Sequence, residues 1–169
     1  MPRTLARIAL LAMLLLTPCA HAAVSADTLA WRSVFPSAAR FYALRLAPGQ
    51  DVRQELLRFA RERHLRAGFV ASCAGSAART TLRYANQPDA TVREGHFEIV
   101  SLSGTLTADG AHLHASLADS TGATFGGHLI DGTRVYTTAE IVVGELERAQ
   151  FTRETDSTYG YKELKVRKR

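Results

Sequence analysis

Hydrophobic positions recur along this chain with two different periods, and the change between them marks out its elements. Phe41, Tyr42, Ala43, Leu44 and Leu46 form a short apolar run, interrupted only by Arg45 and closed by Pro48-Gly49, which predicts a strand ended by a turn. The period then lengthens. Val52, Leu56, Leu57, Phe59 and Ala60 recur at helical spacing, with Arg53, Arg58, Arg61, Glu62 and Arg63 on the other side and Asp51 placed to cap the first turn. Residues 52–64 are therefore expected to form an amphipathic helix whose arginines make a solvated face rather than a phosphate site. Residues 67–72 and 80–84 read as strands with a turn at Gly75-Ser76 between them, and residues 86–94 as a loop rich in turn formers and charge. Beyond His96 the pattern is almost wholly strand: residues 97–107, 111–118, 123–130, 134–143 and 145–153, mostly separated by short turns with Gly or Asp. Such short connections favour antiparallel hairpins, because parallel pairing needs crossovers of a dozen or more residues. One early helix and about seven strands predict an α+β fold with a largely antiparallel sheet.

At 169 residues, 46% hydrophobic and 22% charged, the chain has enough apolar material for one domain with a core, which excludes disordered and multidomain readings. The formal net charge of +5 would suggest an acidic partner, but its distribution changes that picture. Arg3 and Arg7 precede an apolar run over residues 8–16, and Ala20-His21-Ala22 follows; this is the layout of a secretory signal peptide cleaved after Ala22. The run is well short of the ~20 residues that span a bilayer, and no later segment approaches that length, so no transmembrane segment is expected after processing. Cys19, which follows a Leu-x-x pattern with Leu16 in place and is directly preceded by Pro18, marks a lipoprotein as the alternative. Residues 162–169 carry five positive charges and one negative, which leaves residues 23–161 with a single net negative charge. The basic balance thus belongs to a leader and a frayed tail, and nucleic acid is not the expected partner of the secreted form. Residues 23–39 read as a lead-in, 40–166 as the domain and 167–169 as a basic tail. Cys73 alone survives processing, so no internal disulfide stabilises the product.

Candidate chemistry concentrates in one predicted hairpin, residues 111–129. On a strand His112, His114 and Ser116 share one face, while Leu113, Ala115 and Leu117 share the other. With Ser120-Thr121-Gly122 as a three-residue loop and Gly122 left-handed, Asp119 pairs with Ala123, and counting outward sets His114 opposite His128. The same register keeps Phe125 and Leu129 on the apolar side, which a one-residue slip would not. His112, His114 and His128 therefore converge. Three neutral imidazoles suit a divalent metal, with zinc the expected ion, and three protein ligands leave a coordination position for water or a small ligand. Glu98 and Glu140, charged residues in otherwise apolar strands, are the candidate catalytic carboxylates. Elsewhere the signals are weaker. Cys73 with His64 would need an orienting third group that the sequence does not supply, Ser76 lacks the Gly-x-Ser-x-Gly elbow, and His96 has no evident partner.

The ordered motifs resemble a known family. Gly75-Ser76 leading to Leu82-Arg83, the run Phe97-Glu98-Ile99-Val100-Ser101-Leu102-Ser103-Gly104-Thr105-Leu106, the His112-Leu113-His114 and Gly126-Gly127-His128-Leu129 segments, Thr137-Thr138-Ala139-Glu140-Ile141-Val142-Val143-Gly144, and Phe151-x-Arg153 with Tyr159-Gly160-Tyr161 are similar to those of the PPC domain, the plants-and-prokaryotes conserved domain. The resemblance spans about residues 40–166. It implies an α+β fold, a homotrimer, and His112, His114 and His128 as metal ligands. It also brings a DNA-binding label from plant members joined to AT-hooks, although no Arg-Gly-Arg-Pro hook occurs here. Three functions follow as expectations: a metal-dependent lyase or hydrolase acting on a small molecule, a non-catalytic trimeric binding scaffold, and a DNA-binding domain.

Overall fold

The computed structural model describes residues 35–158 and 160–169. The segment expected to be a signal peptide, Cys19, most of the expected lead-in and Tyr159 lie outside the described residues. The chain runs β1 (Ala39–Leu46), α1 (Val52–Glu62), β2 (Gly68–Arg83), β3 (Thr91–Thr107), β4 (Gly110–Ala118), β5 (Thr124–Leu129), β6 (Arg134–Leu146), β7 (Ala149–Thr155) and β8 (Lys162–Lys168). Six strands form one antiparallel sheet in the order β1-β6-β2-β3-β4-β5, while β7 and β8 form a second, two-stranded sheet. The end of β2 also pairs with β5, through Leu82↔Leu129 and Arg83↔His128. That pairing closes β2, β3, β4 and β5 on themselves and brings the two ends of a long stretch of chain side by side.

The helix forms where the periodicity puts it. Asp51 caps it, its Oδ1 accepting from the Gln54 N–H at 3.0 Å while Oδ2 accepts from the Gly132 N–H at 2.6 Å, so one buried carboxylate fixes both the helix start and the β5–β6 loop. Val52, Leu56 and Ala60 face inward and are almost fully buried. They pack with Leu82, Leu106, Leu113, Leu117, Val135 and Ile141 in the main core, which is the one-sided burial that an amphipathic helix on a sheet requires. Two of the outer arginines are engaged with carboxylates: Arg58 with Glu55 and, at 3.9 Å, Glu62, and Arg53 with Asp131 at 2.6 Å.

Four sequence expectations change. Gly75-Ser76 does not turn the chain; residues 68–83 are one strand, and the register shifts at Val70/Ser72, Gly75/Ala77 and Ala77/Arg79 break the alternation that would have revealed it. Gly75 has φ +156°, and a Cβ there would lie 2.3 Å from the Thr138 carbonyl oxygen, so only glycine fits this close approach to β6. The predicted loop at 86–94 is shorter, because Thr91, Val92, Arg93 and Glu94 pair with Leu82, Thr81, Thr80 and Arg79. The break at Gly144 is absent too. There β6 continues to Leu146, and the glycine makes room for the Phe69 ring, whose nearest atom would lie 2.3 Å from an added Cβ.

The fourth change concerns the ends. The fold begins before Arg40: Phe35 packs against the cluster of Ala67, Ala149 and Phe151, Ser37 Oγ accepts from the Arg148 N–H at 3.0 Å, and the Ala38 carbonyl accepts from the Glu147 N–H at 3.0 Å. Residues 162–169 are not frayed. Most of them form β8, paired along its length with β7 from Ala149↔Lys168 to Thr155↔Lys162.

Candidate metal centre

The β4–β5 hairpin has the turn its sequence demands. Gly122 is left-handed with φ +82°, its N–H donates to the Asp119 carbonyl at 2.9 Å, and the Asp119 N–H donates to the Ala123 carbonyl at 3.0 Å. The Asp119 carboxylate accepts from the Thr121 hydroxyl at 2.6 Å, the Thr121 N–H at 2.8 Å and the Ala123 N–H at 3.1 Å. These hydrogen bonds to the ionised form, that of the Thr121 hydroxyl foremost, hold its pKa below the usual carboxylate value. From this turn the pairs run Ala118↔Thr124, Leu117↔Phe125, Ser116↔Gly126, Ala115↔Gly127 and His114↔His128, as the count from the turn predicts. Leu113, Ala115 and Leu117 are buried and anchor the hairpin, so the opposite face of β4 carries its imidazoles outward.

The imidazoles meet closely enough for one ion. His112 Nε2 lies 3.1 Å from His114 Nε2 and 3.1 Å from His128 Nδ1, and the three candidate ligand atoms all lie within 4.8 Å of one another. Two nitrogens each ~2.0–2.1 Å from a tetrahedral zinc ion are about 3.3 Å apart, so the separations suit a shared divalent ion. The ligand state is favoured as well. Burial is the first cause holding the pKa of His112 below its ordinary 6.5, followed by the Arg153 and His114 charges, with Glu163 opposing and Arg83 adding. For His128 the causes are burial, then Arg83, His114 and His112. Neutral imidazole is the form that binds metal.

The ring edges open into a cleft of about 770 Å³ whose lining includes Arg83, His112, His128, Arg153, Tyr161 and Glu163. Arg83 is set by the strand register directly opposite His128. Arg153 donates to Thr105 Oγ1 at 2.9 Å, and Thr105 is the register partner of His112. Neither arginine stood out as a site residue in the sequence, because sheet closure and the return of β7 bring them to the histidines from far along the chain. The available signal was their place in the Leu82-Arg83 and Phe151-x-Arg153 motifs.

The two expected carboxylates are elsewhere. Glu98 is opposite Ala118, four residues along β4 from His114 and so about 13 Å away at ~3.3 Å per residue. Glu140 is opposite Arg45 in β1 and Ala74 in β2, nine residues along β2 from Arg83. Both are exposed, and the structure brings neither to the imidazoles; the carboxylate lining the cleft is Glu163. Cys73 faces Ile141 across β2 and β6, with its thiol pushed up to about 11 by burial, and no hydrogen bond joins it to His64 among the described residues. Its role is packing. Ser76 shares a 2.7 Å hydrogen bond with Thr137. His96, expected at a loop edge without a partner, lies within β3 and stacks on Tyr136 with ring centroids 3.9 Å apart.

Residues 34–147 match the model of the Plants and Prokaryotes Conserved (PCC) domain. The chain belongs to this family. The match ends before β7, so the hairpin that carries Arg153 and Glu163 lies beyond it. Among curated proteins, the PPC chain is 50% identical over 129 residues to the bifunctional protein GlmU of Synechococcus sp. (strain JA-3-3Ab), covering 76% of this chain and 21% of the relative; it thus spans about a fifth of that protein's length. A hypothetical protein from Salmonella has a solved structure that superposes with a TM-score of 0.78 at 45% identity, covering 80% of this chain and 98% of that one. A metal-containing protein from Archaeoglobus fulgidus superposes with a TM-score of 0.67 at 26% identity, covering 79% and 99%.

Proposed function

We propose that this PPC protein is secreted to the periplasm as a homotrimer and holds one zinc ion on His112, His114 and His128, presenting it to a small molecule in the adjoining cleft. The observation that carries this reading is the convergence of three imidazole nitrogens within 4.8 Å of one another on a hairpin whose register is locked by its turn and its buried face. The metal-containing relative from Archaeoglobus fulgidus supports it. Zinc bound by three protein ligands keeps a position open, where it polarises an oxygen or activates water. The chain's own part is to hold the pKa values of His112 and His128 down, and to supply Arg83, Arg153 and Glu163 along the cleft wall.

The test is elemental analysis of untagged protein purified from the periplasm, wild type beside His114→Ala. About one zinc per chain in the wild type, lost in the variant while the circular dichroism spectrum is kept, is expected. Metal absent from both after incubation with zinc overturns the reading.

A further inference from the structure

The cleft beside the histidines is unusual in its charge. Arg53, Arg83, Arg153 and Lys162 line it against one carboxylate, Glu163. Arg53 is satisfied by Asp131 at 2.6 Å, which leaves Arg83, Arg153 and Lys162 facing Glu163 with two positive charges in excess. The arginines are also fixed in place. Arg83 is the register partner of His128 and donates to the Gln87 carbonyl at 3.4 Å, while Arg153, partly buried, donates to Thr105 beside His112. Neither makes an ion pair within 4.0 Å among the described residues. A divalent ion on three neutral imidazoles would add two further positive charges that the protein's own ligands do not neutralise. Such a concentration of charge at partly buried positions is costly unless an anion completes it.

We propose that the cleft binds a small organic acid bearing at least two negative charges, with Arg83 and Arg153 holding its carboxylates beside the three histidines. The guanidinium fork matches a carboxylate with two parallel hydrogen bonds, and guanidinium groups on two sides of the imidazoles fix the orientation of a ligand with two acidic ends. The volume of about 770 Å³ lies in the range of small-ligand clefts and is far below what a duplex needs. Tyr161, which is 70% exposed, supplies an aromatic wall at the mouth. The placement of one acidic end next to the metal rests on the zinc reading above; the arginine clamp does not.

The experiment is isothermal titration of malate into wild type, Arg83→Gln, Arg153→Gln and Arg58→Gln, each zinc-loaded and metal-free, with zinc content and the circular dichroism spectrum measured on the same samples. Arg58 lies on the solvent face of α1 and controls for loss of a charge. The expected result is malate binding by the zinc-loaded wild type, weakened about tenfold or more in Arg83→Gln and Arg153→Gln with zinc retained, and unchanged in Arg58→Gln. Equal malate affinity in wild type and both cleft variants, equal weakening in Arg58→Gln, or no malate binding to any form overturns the clamp. A protein that takes up no zinc but binds malate through Arg83 and Arg153 loses the metal reading and keeps the clamp. Inorganic phosphate displacing malate at equal concentration overturns the preference for an organic acid.

Discussion

At the scale of single residues, the site is governed by which charge state its imidazoles adopt. Burial first, and then the arginine charges, disfavour protonation of His112 and His128, so the folded metal-free protein binds fewer protons there than the unfolded chain. The contribution of these groups to stability is therefore fully present above 6.5 and is lost as the pH falls through their lower folded values. The groups acting on His112 come from β4, β7, β8 and β2: His114, Arg153, Glu163 and Arg83. Following the imidazole C–H resonances of metal-free protein by NMR during a pH titration should give values below 6.5 for both residues, and Arg153→Gln should raise that of His112. A midpoint at or above 6.5 in the wild type would contradict this account. The convergence of the three histidines was legible in the sequence because a turn, an alternation and a count from one to the other determine it. The arginines were not, because a register partner such as His128 for Arg83 exists only once β5 meets β2.

At the scale of elements, legibility followed regularity. The hairpin and the helix obey a single period, and their expected and observed boundaries agree closely. Strand β2 does not: three register shifts and a glycine that serves close packing rather than a turn made one element of 16 residues look like two. The same ambiguity misplaced the β6–β7 junction, since nothing local distinguishes a glycine that accommodates the Phe69 ring from one that reverses the chain. The regular element also carries the clearer prediction. Leu113, 1% exposed, lies between His112 and His114 and points into the core. Leu113→Ala should cost about 2–5 kcal/mol in the stability of metal-free protein, by lost burial and the cavity left behind, measured by urea unfolding. Zinc should recover part of that loss, because an ion that binds only the folded form stabilises it by mass action. A variant as stable as wild type would mean that β4 is not anchored through this face.

At the scale of the whole molecule, the placement of charge and apolar surface separates the expected functions. The basic C-terminal segment is a strand rather than a free arm: Leu164 and Val166 turn inward, and Arg167 pairs with Glu154 at 2.7 Å. The tail-mediated DNA binding suggested by the family's label would draw on cations tracking a phosphate backbone, and here those cations are held on a paired strand rather than on a flexible arm. Apolar surface, by contrast, is left exposed. Phe41 at 58%, Val100 at 57% and Tyr136 at 42% exposure stand on the solvent side of β1, β3 and β6, strands whose inward residues are buried or half-buried. Fully covering a phenylalanine side chain contributes about 1.5–3 kcal/mol per protomer, and Glu98 and Glu140 are exposed on β3 and β6 as well. The proposed homotrimer accounts for this surface if these strands lie at the subunit contacts. Sedimentation of the wild type at micromolar concentration should then give three times the mass of the mature chain, and Phe41→Glu should shift it toward the monomer. Zinc content should not change in that variant, because all three histidines come from one hairpin of one chain. A wild type that sediments as a monomer would remove the trimer and leave the metal centre standing, whereas loss of zinc together with loss of the trimer would show that the centre needs its neighbours.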